Sequence, residues 1–209
     1  MVFTRPERQV REFISVCLEE LSKLDEERER LIILCREIIR LSRTLVSKVH
    51  TGENPSSILI SLRSIVRQLS ECSSSKPELY YTGGVLSALT EYVESVSLYC
   101  VVCEDRIPSP SELGVTAAPY LLGLADLVGE LRRQVLERIK HEEYEEAERL
   151  FRVMESIYDA LRPIAIPDAL APGLRRKVDI ARGLVENTRR DLLFFRRASE
   201  LESKLSASR

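Results

Sequence analysis

The sequence predicts an all-α fold: a single domain over residues 1–209, built from six to seven helices, with the first and last unusually long. Three observations predict it. Apolar residues recur at three- and four-residue spacing through almost the whole chain. No segment alternates with period two between turn residues, as a half-buried strand would. The breaks are few and distinct: HTGENPSS at 50–57, SSSKP at 73–77, RIPSPSELG at 106–114, HEE at 141–143 and PIAIPDALAPG at 163–173.

The first helix is expected from about Pro6 to Val49, on the spacing of Val10, Phe13, Val16, Cys17, Leu21, Leu24, Leu31, Leu34, Ile38, Leu41 and Leu45, with DEERER at 25–30 among the charges between them. Its length implies packing along a second long helix or a partner subunit. Asn54-Pro55 suits a cap followed by proline in the first turn, and starts a second helix that runs to about Cys72. A third helix is expected from about Glu78 to Asp105, before the proline-serine connection RIPSPSELG. A fourth runs from about Thr116 to Lys140, a fifth from the HEE junction to Arg162, and the last from about Leu174 to Ser206.

Composition narrows the class. With 44% hydrophobic and 31% charged residues the chain is globular rather than disordered. A formal net charge of −2 argues against a surface coated in positive charge, although arginines outnumber lysines 25 to 6 and suit phosphate and carboxylate. Five cysteines make no metal signature. Cys100 and Cys103 have C-x-x-C spacing but sit on a hydrophobic helix, so we read them as small buried apolar residues. The odd cysteine count and the charged N-terminus (MVFTRPERQV) lead to the expectation of a cytoplasmic protein, and no uninterrupted apolar stretch approaches a membrane span.

The chemistry concentrates in two acidic pairs. Between Val85 and Cys103 the only charged residues are Glu91 and Glu94. They lie away from the stripe Val85, Leu89, Tyr92, Val96 and Cys100, yet the helix beyond residue 95 is apolar nearly all round and should be buried. Two carboxylates there need raised pKa values or cations. On the fourth helix Asp126 and Glu130 lie opposite the stripe Leu121, Leu124, Val128, Leu131 and Val135, flanked by Gly123 and Gly129. Glycine inside a helix costs about 1 kcal/mol relative to alanine, so the pair suggests close approach of another backbone or a ligand. Four carboxylates on two neighbouring helices suit Mg²⁺ or Mn²⁺ and phosphoryl-transfer chemistry. The same residues also fit a solvated face, or acids satisfied by arginines such as Arg133. His50 and His141, at helix ends, read as capping or surface residues.

GVTAAPYLLGLADLVGELRR at 114–133 closely resembles the signature of the translin superfamily, GV…DYLLGLADLTGELMR, departing from it at Ala118, where an acid is common. EIIRLSRTLVSKVH at 37–50 resembles the family's first helix, LTEYVESVSLY at 89–99 its third, and LRRKVDIARGLVEN with LLFFRRASE, more loosely, its last. Translin itself binds single-stranded nucleic acid and lacks the acidic set. Translin-associated factor X carries acids on the third and fourth helices that bind Mg²⁺ and cleave RNA. The matching positions here are Glu91, Glu94, Asp126 and Glu130, so the resemblance implies a member of the catalytic branch, of the compact prokaryotic or archaeal type. It implies a metal-dependent endoribonuclease acting on single-stranded RNA, with single-stranded DNA as a further ligand, inside a closed homo-oligomeric shell that is octamer-like, with no membrane partner. In that scheme Glu91, Glu94 and Asp126 ligate Mg²⁺ or Mn²⁺, and Glu130 is a fourth ligand or positions the attacking water. Arg133, with Arg36, Arg40 and Arg43 on the first helix, is a candidate for the phosphate track. Few aromatic residues (7 Tyr, 5 Phe, no Trp) lead to an expectation of weak base specificity.

Overall fold

The structure, a computed structural model, describes residues 5–75 and 84–207. Among these residues it contains seven helices and no strand: α1 (Arg5–Thr51), α2 (Ser56–Ser75), α3 (Val85–Glu104), the one-turn α4 (Pro110–Leu113), α5 (Ala117–Lys140), α6 (Tyr144–Leu161) and α7 (Leu174–Ala207). The all-α expectation holds, with α1 (47 residues) and α7 (34 residues) the longest. The expected start of the third helix at Glu78, and the Lys76-Pro77 stop before it, lie outside the described residues.

Local chemistry sets the boundaries. At the start of α2 the Asn54 side-chain oxygen accepts from the Ser56 N–H at 2.9 Å, the capping role expected of it. The segment RIPSPSELG is more than a connection. Pro110 opens a helical turn, Ser109 Oγ accepts the Glu112 N–H at 3.1 Å, and Gly114 closes the turn at φ 67°. Tyr120 then donates its hydroxyl to the Pro108 carbonyl at 2.9 Å, tying the start of α5 to this loop. At the end of α3, Arg149 of α6 donates to the Val101 carbonyl at 3.1 Å and pairs with Asp105, so an orphan helix-end carbonyl is satisfied from a neighbouring helix.

Packing places α3 and α5 at the centre. α3 lies against α1 and α5, while α5 also packs on α6 and α7. Contacts between α5 and α7 ascend together (Asp126 with Lys177, Gly129 near Leu184, Arg132 with Thr188), so these two helices run parallel. α1 buries Leu31, Cys35, Ile38, Leu41, Leu45 and Val49, whereas Val10, Phe13, Ile14, Leu18 and Leu21 in its N-terminal half are exposed. α3 is long and apolar enough to cross a membrane by length and composition alone, but two thirds of that span is buried within the bundle, and packing accounts for its apolarity.

The single apolar stripe expected on α5 is too narrow. Leu121 and Leu124 are only partly buried, whereas Leu122, Ala125 and Leu127 are fully inside, because α5 has helices on several sides. The two glycines differ in the same way. A Cβ on Gly123 would sit 2.6 Å from Val93 Cβ and 2.8 Å from the Thr90 carbonyl oxygen, so α3 touches α5 backbone to backbone there. At Gly129 the nearest atom is Leu184 Cδ1 at 3.8 Å, an ordinary contact, so the close approach expected of both glycines holds at one.

This difference predicts opposite effects on stability. Gly123→Ala should destabilise the fold by about 1–3 kcal/mol, the cost of overpacking a site where no flexible side chain can yield. Gly129→Ala should stabilise it by up to about 1 kcal/mol through helix propensity. Denaturant unfolding of both variants checks this, and equal effects of the same sign would contradict the assignment of the close approach to Gly123.

Candidate active site

The close approach at Gly123 brings the two acidic pairs face to face. Glu91 and Glu94 follow the contacting residues Thr90 and Val93 on α3, and Asp126 and Glu130 lie one and two turns beyond Gly123 on α5. All four side chains are half-buried. Their proximity registers in Glu94, whose carboxyl is pushed up to about 8 by burial first and then by the negative charges of Asp126, Glu91 and Glu130. Among the described residues neither Glu91 nor Glu94 has a hydrogen-bond or ion-pair partner.

The other two acids are paired. Lys177, in the first turn of α7, places its ammonium on both oxygens of Asp126, at 2.6 and 2.5 Å. His50, at the end of α1, meets Glu130 Oε2 through Nε2 at 2.5 Å. Gln134 donates to His50 Nδ1 at 2.8 Å, so the ring proton sits on Nε2 and is donated to the carboxylate. That hydrogen bond, with the nearby charge of Arg133, holds Glu130 below the usual carboxylate range despite its burial. Four helices, α1, α3, α5 and α7, thus converge on one acidic site.

Both ways of tolerating buried carboxylates that the sequence pattern demands are therefore used, a raised pKa at Glu94 and cationic or N–H partners at Asp126 and Glu130. The partner identities differ from expectation. Arg133 is exposed and holds no carboxylate directly; Lys177 and His50 do so. His50 is no surface residue, its side chain being only 8% exposed. A signal for each existed in the sequence: His50 directly follows the buried stripe of α1 at Val49, and Lys177 is one of six lysines in a chain rich in arginine. Arg36, Arg40 and Arg43 form an exposed row on α1, where Arg40 is engaged by Glu37 through two contacts of 2.8 and 2.5 Å.

The donor set suits a hard divalent cation in kind: four carboxylates, two of them unpartnered at Glu91 and Glu94, and an ammonium standing where positive charge is needed at Asp126. As placed, no three His, Cys, Asp or Glu side chains among the described residues stand together as metal ligands. Asp126 and Glu130 are directed to Lys177 and His50 instead.

Glu94 gives the site a defined pH response. Its folded-state pKa lies above its ordinary value, so its contribution is fully favourable below about pH 4.5 and is lost as pH rises toward 8, at about 1.4 kcal/mol per unit across that window. In metal-free protein, Glu94→Gln should therefore gain stability over the wild type as pH is raised from 5 to 8. Thermal unfolding in EDTA at both values checks this, and a pH-independent difference would show that Glu94 titrates normally.

Comparison with known proteins places this geometry in context. The family model described as "Translin family" matches residues 26–188, which include all four acids, His50 and Lys177. An uncharacterized protein of Methanocaldococcus jannaschii is 35% identical over 191 residues, covering 88% of this chain and 86% of its own. The structure of AfC3PO in complex with duplex RNA superposes with a TM-score of 0.81 at 30% identity, covering 88% of this chain and 97% of that one. AfC3PO solved separately gives 0.80 at 31% identity, with 89% and 98% covered. Apo-NeC3PO gives 0.78 at 27%, with 87% and 96% covered. The match over most of the chain, at this level of identity and superposition, shows that the chain belongs to the translin family.

Proposed function

We propose that this protein is a Mg²⁺- or Mn²⁺-dependent endoribonuclease that cleaves single-stranded RNA or short RNA fragments inside a homo-oligomeric, octamer-like shell, each subunit being one translin-like domain. The observation that carries the reading is the meeting of Glu91, Glu94, Asp126 and Glu130 in one half-buried site, with Glu94 unpartnered and held near neutrality in its titration. Buried carboxylates are costly to the fold, and a constellation that keeps four of them together is accounted for by a cation-requiring chemistry. RNA as the ligand draws support from the similar AfC3PO, solved in complex with duplex RNA. Association with further copies draws support from the exposed apolar residues of α1 and from Leu193, Phe194 and Phe195 of α7.

In this reading Glu91, Glu94 and Asp126 are the residues that would hold the ion, which when bound supplies Lewis acidity toward the phosphodiester. Glu130 keeps its negative charge because His50 donates to it, and is placed to ligate or to orient the attacking water. Arg133, exposed one turn beyond Glu130 near enough to influence it, contacts the phosphate, and Arg36 and Arg43 extend the basic surface along α1. Bare acids would repel RNA, so the ion is also a condition of substrate approach.

A second reading, RNA or DNA binding without cleavage, is favoured by one observation: Asp126 and Glu130 already have partners, and no metal-ligand cluster stands assembled among the described residues. End-labelled RNA, single-stranded and duplex, incubated with protein and Mn²⁺ separates the two. We expect metal-dependent fragments from the single strand, none in EDTA, and loss of at least 100-fold in rate for Glu94→Ala and Asp126→Ala with the fold retained. Intact RNA held in a stable complex would establish the binder instead.

A further inference from the structure

We propose that Lys177 is a built-in counter-cation of the acidic site, which a divalent ion must displace from Asp126 in order to bind. The inference rests on the metal-site reading above and concerns how that site is held before the ion arrives.

Three features of the geometry carry it. The ammonium bonds both oxygens of Asp126, at 2.6 and 2.5 Å, leaving that carboxylate engaged on both sides. The side chain comes from α7, outside the α3–α5 pair, and is 32% exposed, with Asp126 at 28%. It can therefore swing into water without burying an uncompensated charge. Finally, the residue is lysine, a compact ammonium on a flexible four-carbon stem, beside Arg175 and Arg176, whose forks would grip a carboxylate in a fixed plane.

His50 holds its carboxylate differently. That ring is 8% exposed and held from both sides, by Glu130 and by Gln134, so it is a fixed partner. Lys177 is an exchangeable one. With Lys177 on Asp126 the acids do not stand as a ligand cluster; its departure returns Asp126 to the set. Metal affinity is then set partly by competition between two cations for one carboxylate, and the metal-free bundle tolerates its acids because one of those cations is always present.

The test is Mn²⁺ binding by calorimetry, with no substrate present, to the full-length wild type, Lys177→Met and Lys177→Arg. The methionine variant keeps the stem and loses the charge, and should bind Mn²⁺ at least tenfold more tightly. The arginine variant, which retains a counter-cation, should stay within about threefold of the wild type or bind more weakly. Equal or weaker binding by a folded Lys177→Met overturns the proposal while leaving the metal site itself in place. Absence of Mn²⁺ binding by the wild type and by both variants overturns the metal reading and this proposal with it. Should Lys177→Met not fold, the wild type decides. On Mg²⁺ addition to ¹⁵N-lysine-labelled protein, the Lys177 ammonium signal, assigned from its loss in Lys177→Arg, must move to the position of a free lysine; an unmoved signal at saturating Mg²⁺ overturns the proposal.

Discussion

Helices α3 and α5 touch where Gly123 has no side chain, and the candidate site depends on that contact. A methyl group at this position would collide with Val93 Cβ and the Thr90 carbonyl, neither of which can rotate away. Because Glu91 and Glu94 are the next residues along α3, and Asp126 follows one turn along α5, the distance between the acidic pairs is set by this single approach of backbones. A helix such as α3, apolar on most sides and packed against α1 and α5, has little freedom to shift in compensation. The site is therefore held by rigid elements rather than loops, the arrangement that positioning of charge requires.

The second constraint is electrostatic. Four half-buried carboxylates cannot all remain ionised and unpaired at this proximity. The molecule divides the problem between them. Glu94 takes up a raised pKa, Glu130 is kept ionised by the His50 N–H, and Asp126 is neutralised by Lys177. Each solution comes from a different helix, which makes α1 and α7 parts of the site as well as of the bundle. Sites that separate neighbouring titratable groups in this way are those from which catalytic acids, bases and ligands are drawn.

Much of this was legible from periodicity and residue type. Helix order and most boundaries followed from the apolar spacing and from punctuation such as Asn54-Pro55 and HEE, since those signals are local. The anomaly of Glu91 and Glu94 was legible too, because charge on an otherwise apolar helix violates its own pattern. The partners were not. Lys177 lies 51 residues from Asp126, and His50 lies 80 residues from Glu130, so only the tertiary fold brings them together. A single apolar stripe on α5 is too narrow because amphipathic patterning assumes one wet face, which a central helix packed against α3, α6 and α7 lacks. For the same reason Gly123 and Gly129 looked alike in sequence, although only Gly123 meets a neighbouring backbone.

The central claim is that the acids of α3 and α5 form one divalent-metal site, and the most direct measurement is anomalous scattering from crystals of the full chain soaked in Mn²⁺. The account predicts a peak between α3 and α5, bounded by Glu91, Glu94, Asp126 and Glu130, with the Lys177 side chain turned away from Asp126. A map without a peak at that place, and with Lys177 still seated on Asp126 at saturating Mn²⁺, would contradict it.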